Sequence, residues 1–108
     1  MPQLKENPTL SDLQEHIGAV CRERGWDKNT HTEKFLLFVE EVGELAKEIR
    51  NTEGLHSKKA KGASGRAHLE EEFADVLNYL LDLANNFNID LEKVYRDKHR
   101  INESRNWD

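Results

Sequence analysis

The sequence has one cysteine, Cys21, and that scarcity removes whole classes of protein at once. No intrachain disulfide can form, no CxxC-type zinc site exists, and the lone thiol suits a reducing compartment, where it reads as a small buried apolar residue. Long apolar runs are missing too. Nothing approaches the length of a membrane span, and the opening "MPQLKENPTL" has neither the charged start nor the apolar stretch of a signal peptide, so the expected location is the cytoplasm, away from membranes. Positive charge is in deficit. A formal net charge of -5 argues against binding duplex nucleic acid, whose affinity comes from clustered Lys and Arg on phosphates. Also absent are internal repeats, β-type alternation and a glycine-rich phosphate loop.

What remains is helical. At 108 residues the chain is expected to be a single domain, spanning 1–108, with a real core and little surplus. After Pro8, either Thr9 with Asp12 or Ser11 with Gln14 can cap a first helix that carries Leu13, Ile17, Val20 and Cys21 inward and ends near Gly25. A second helix, ending around Asn51, carries Phe35, Phe38, Val42, Leu45 and Ile49 as one stripe expected to be buried. The stretch "NTEGLHSKKAKGASGRAH", with Lys58, Lys59, Lys61 and Arg66, reads as a mobile basic loop. A third helix follows from Leu69, with Phe73, Val76, Leu77, Leu80 and Ala84 inward. Asp90 caps a fourth, more polar helix. These periods predict an all-α four-helix bundle.

The acids on the two central helices are the unusual feature. Glu41 and Glu44 are three residues apart on the flank of one apolar stripe, Glu72 and Asp75 stand in the same relation on the other, and Tyr79 continues that flank. If the helices run antiparallel, the four carboxylates converge. Each pair about 5 Å apart would repel by about 3 kcal/mol at an effective dielectric near 20, a repulsion that divalent cations turn into binding. Oxygen donors without His or Cys suit Mg²⁺, with Mn²⁺ as a substitute. Glu-rich helix faces are also ordinary solvated surface, and at this level both readings stand. A di-iron bundle needs Glu-x-x-His on two core helices, and the one instance here, Glu53 to His56, falls in the loop.

"EEVGELAKEI", the basic loop, "LEEEFADVLNYLLDLA" and "IDLEKVYRDKHRIN" with a final Arg follow one another in an order that resembles the MazG-like all-α nucleoside triphosphate pyrophosphohydrolases, including their dCTP pyrophosphatase branch. The resemblance covers nearly the whole chain. It implies that Glu41, Glu44, Glu72 and Asp75 are metal ligands and that Glu40 activates the attacking water. It further implies that Tyr79 contacts the nucleotide, with Trp26 and approximately His31 beside it, and that Lys98, Asn102 and Arg105 meet the phosphates. Helical spacing independently puts those last three on one face. There are departures: Arg50 and Asn51 stand where dCTP-type members have a second tryptophan, Ile17 where they have a histidine, and the run from Trp26 to His31 is one residue shorter.

The activity implied is Mg²⁺-dependent cleavage of a nucleoside triphosphate, dCTP or another deoxynucleotide, to the monophosphate and pyrophosphate in pool cleaning, by a homodimer or homotetramer. Two other classes stay open: a non-catalytic helical adaptor, and a phosphohydrolase acting on the terminal phosphate.

Overall fold

In the computed structural model, which describes residues 2–53 and 63–105, four α-helices follow in order: α1 (Leu10–Arg24), α2 (His31–Thr52), α3 (Ala63–Asn86) and α4 (Leu91–Glu103), with a 3₁₀ turn at Trp26–Lys28. Local chemistry sets their ends. Of the two caps available to α1, Thr9 is the one used: its hydroxyl accepts from Asp12 N at 3.0 Å, and Asp12 accepts in return from Thr9 N at 3.0 Å. Gly25, at φ 75°, closes the helix in the left-handed region that glycine enters without strain. Thr30 and Glu33 form a second reciprocal box at the start of α2. α3 ends in a Schellman turn, with Asn88 at φ 56°, Ile89 N donating to Ala84 O at 3.0 Å and Asn88 N to Asn85 O at 3.0 Å. Asp90 then caps α4 by accepting from Lys93 N at 3.2 Å. No helix among the described residues is long and apolar enough to cross a membrane.

Two sequence expectations need correction. α3 begins at Ala63, so residues 63–68 are helix and not loop, while Lys58, Lys59 and Lys61 lie outside the described residues. The apolar stripes are also less buried than their spacing predicts. Val20, Cys21, Leu69, Leu81 and Ala84 are buried, whereas Phe35 is 51% and Phe73 55% exposed, and Val42, Ile49, Leu77 and Leu80 are exposed with them. The physical reason is geometric. α2 and α3 pack chiefly on each other, and α1 covers only part of α3, so one side of each central stripe is left uncovered among the described residues.

Polar bonds tie the remaining elements together. Gln14, buried on α1, donates through its amide to Ile89 O and accepts from Leu91 N at 3.1 Å, clamping the α3–α4 turn. Asn85 Nδ2 donates to Gln14 O at 2.9 Å, and the two helices approach so closely that a Cβ at Gly18 would lie 3.2 Å from that same nitrogen. α4 hangs from α1 through Ser11 N, which donates to Glu92 at 3.2 Å.

Candidate functional site

α2 and α3 run antiparallel, because Lys34 near the start of α2 meets Asp82 near the end of α3 while Glu41, further along α2, meets Glu72 and Asp75 nearer the start of α3. That arrangement assembles the acids. One carboxylate oxygen from each of Glu41, Glu72 and Asp75 lies within 4.8 Å of the other two. Glu41 and Glu72 are half-buried and Asp75 is exposed at the rim. Glu44, exposed one turn beyond Glu41, is outside this trio, although its charge acts on Glu72. Glu40 is exposed on the adjoining face, and its charge acts on Tyr79.

Glu72 is the electrostatic centre. Its carboxyl is pushed up to about 7, first by burial, then by a hydrogen bond shared with Glu41, then by the charges of Glu41, Asp75 and Glu44. Its Oε2 is buried and has no hydrogen-bond partner. An orphaned buried carboxylate oxygen beside two further acids is a strained arrangement for the bare protein, and it fits a hard divalent cation. Tyr79, half-buried one turn after Asp75, has its hydroxyl raised first by burial and then by Glu41, Asp75, Glu40 and Asp82. It therefore faces the cluster.

Sequence reasoning missed two residues of this face. Lys34, 4% exposed, pairs with Asp82 at 2.9 Å, and Asp82 with burial pushes the neighbouring Cys21 thiol up to about 11, burial being the larger cause. Cys21 is buried and keeps its proton, as expected of a structural thiol. A cleft of about 320 Å³ opens here, with Gln14, Gly18, Cys21, Lys34, Asp82 and Asn85 among its walls. The available signal was register: Lys34 precedes Glu41 by seven residues and Asp82 follows Asp75 by seven, two helical turns each.

The other expected contacts are spread over further elements. Trp26 is 48% exposed in the 3₁₀ turn, with the Arg24 guanidinium 5.1 Å from its ring centre, so it is not a core residue. His31, the first residue of α2, meets Phe87 edge to face with ring centres 4.2 Å apart. Lys98 and Asn102 belong to α4, which packs chiefly on α1, and Arg105 follows its end.

Residues 29–105 match the family described as MazG nucleotide pyrophosphohydrolase domain. The chain is 36% identical over 100 residues to "dCTP pyrophosphatase 1" of Homo sapiens and 34% identical over 100 residues to the protein of that name in Rattus norvegicus, in each case across 91% of this chain and 59% of the relative. It is also 42% identical over 64 residues to "Uncharacterized protein YpjD" of Bacillus subtilis (strain 168), covering 58% of this chain and 56% of that protein. The chain thus spans about three fifths of the length of these curated relatives. The family match extends over the three acids that α2 and α3 gather and over Glu44 beside them, and with it the chain belongs to the MazG nucleotide pyrophosphohydrolase domain family.

Proposed function

We propose that the chain hydrolyses a nucleoside triphosphate, dCTP or another deoxynucleoside triphosphate, to the monophosphate and pyrophosphate. The observation that carries this reading is the meeting of Glu41, Glu72 and Asp75 oxygens within 4.8 Å of one another, with one oxygen of Glu72 buried and partnerless. Glu41, Glu72 and Asp75, joined by Glu44, would hold Mg²⁺ or Mn²⁺. The cation, when bound, supplies positive charge against the triphosphate and makes water more acidic.

The chain's own groups do the rest. Glu40, exposed beside the trio, takes a proton from the water whose oxygen bonds to the α-phosphorus, as the bond from that phosphorus to the bridging oxygen breaks and pyrophosphate departs. Lys98 and Arg105 neutralise the outer phosphates, with Asn102 donating beside them. Tyr79, Trp26 and His31 line the nucleoside end. The exposed apolar faces of α2 and α3, Phe35 and Phe73 among them, pair with a second copy in a dimer or tetramer, which brings neighbouring chains to each site's edge. The setting is the cytoplasm and the role is nucleotide-pool cleaning.

A panel of nucleoside triphosphates incubated with Mg²⁺ tests the reading by its products. Pyrophosphate is expected; orthophosphate would indicate cleavage at the terminal phosphate, and no turnover of any nucleotide would leave a helical adaptor.

A further inference from the structure

The Lys34–Asp82 ion pair stands on the same faces of α2 and α3 as the acidic trio, two turns away. Seven residues separate Lys34 from Glu41 and seven separate Asp75 from Asp82, so each step advances about 10 Å along its helix with almost no rotation. Tyr79 marks the continuity between the two places, because it lies on the same flank of α3, four residues after Asp75 and three before Asp82. An extended nucleotide covers a comparable distance from its α-phosphate to the far edge of its base.

We infer that Lys34 and Asp82 read the base, forming the nucleobase end of a groove whose phosphate end is the acidic trio; this rests on the reading of the trio as the phosphate site. Three observations support it. First, the pair lines a cleft of about 320 Å³ and is not sealed inside the core. Second, an ion pair this buried, with the side chains of Lys34 5% and Asp82 15% exposed, adds little to stability, since apolar residues of like volume usually do as well or better in such a place. Third, the bond to Asp82 uses one of the three donors of the Lys34 ammonium, leaving donors for a ligand.

The chemistry selects a class of base. The ammonium only donates and the carboxylate only accepts, 2.9 Å apart, so they match an edge with a carbonyl oxygen beside a ring N–H. Uracil, thymine, guanine and hypoxanthine present that edge. Cytosine and adenine instead offer a ring nitrogen beside an amino group, whose N–H is a far weaker acid and so a weaker donor to a carboxylate. This chain therefore prefers a lactam base to cytosine.

Two measurements test the inference separately from the hydrolysis. In the first, kcat/KM for pyrophosphate release is compared across dUTP, dTTP, dGTP, dCTP and dATP for the wild type, Asp82→Asn and the apolar pair Lys34→Met/Asp82→Leu. The wild type should favour at least one lactam base over dCTP by about tenfold or more, and both variants should bring the ratio close to one. A wild type that prefers dCTP, or variants that lower every substrate by one common factor, would overturn the base assignment and leave the pyrophosphohydrolase reading intact. In the second, deoxyuridine, deoxyguanosine and deoxycytidine are titrated into metal-free protein while the amide resonances of Cys21 and Asn85 are followed. Shifts with a lactam nucleoside that vanish in both variants uphold the assignment even if no pyrophosphate is released; no shift with any nucleoside, or shifts equal in the variants, overturns it.

Discussion

Glu41 of α2 and Glu72 of α3, carboxyls from opposite helices, bring oxygens within 4.8 Å of each other, and Glu72, held up first by burial and then by Glu41, is pushed up to about 7. The ordinary value is 4.5, so the folded state raises it. Between those two values the folded protein keeps a proton that the unfolded chain has released. Stability from this site therefore falls as pH rises through the window, and above about 7 the full repulsion is present. Thermal melts in chelator from about pH 5 to about pH 8 should show wild type losing Tm relative to Glu72→Gln, and Mg²⁺ should restore the wild type most at the alkaline end. Parallel pH profiles for the two proteins, with no response to Mg²⁺, would remove Glu72 from the cation site.

Glu40 and Glu41 are neighbours that point about 100° apart, one exposed and one half-buried within the trio, and so they should fail differently. Glu41→Gln removes a charged oxygen from the cluster and should weaken Mg²⁺ binding together with turnover. Glu40→Gln should leave Mg²⁺ binding largely intact and slow turnover by roughly 10²- to 10⁴-fold, the contribution of a positioned base. Calorimetric titration of Mg²⁺ and pyrophosphate release, run on both variants, separate the roles; a near-normal rate in Glu40→Gln ends its assignment.

Lys98→Ala and Arg105→Ala should each weaken nucleotide affinity without lowering Tm by more than a degree or so, in keeping with exposed positions on and after α4. Apparent affinity unchanged in both would take them out of the phosphate site.

The uncovered faces of α2 and α3 predict self-association. Sedimentation equilibrium should find a dimer or tetramer, and a Phe35→Glu/Phe73→Glu variant should shift toward the monomer. A monomeric wild type at the same concentration refutes the prediction.

Gln14→Leu should strip the clamp from the α3–α4 turn, leaving Ile89 O and Leu91 N without their partner. The expected loss is about 1–3 kcal/mol for each group left unsatisfied, read as a lower urea midpoint. A midpoint equal to wild type would mean that water serves those groups equally well.

The helix ends and the acid spacing were legible in the sequence because capping and periodicity are local. Thr9, Gly25 and Asp90 act on residues within one turn, and Glu41, Glu72 and Asp75 need only helical phase and an antiparallel pairing to meet. The start of α3 was hidden by composition. Gly62, Ser64 and Gly65 sit beside a run of lysines, which gives that stretch poor intrinsic helix propensity, yet the helix includes Gly65 and buries it. The exposed stripes had the right phase, but phase reports which face is apolar and says nothing of what covers it. Lys34 was missed for a related reason: a lysine reads as surface, and only the position of Asp82 on the opposing helix makes its burial tolerable.

The Lys34–Asp82 contact also bears on how the chain reaches its active form. The acidic trio draws on two separate helices, and a slip of α3 along α2 by a single turn, about 5.4 Å, would separate Glu41 from Glu72 and Asp75 while leaving both helices whole. Apolar side chains tolerate such a slip, since one methyl group packs nearly as well as the next. A buried ammonium does not: displaced by one turn it loses Asp82, its acceptor across the helix pair, and stays out of water. The pair thus works as a peg that allows one alignment of the two rods, making the mispaired form costly just where it would otherwise be silent.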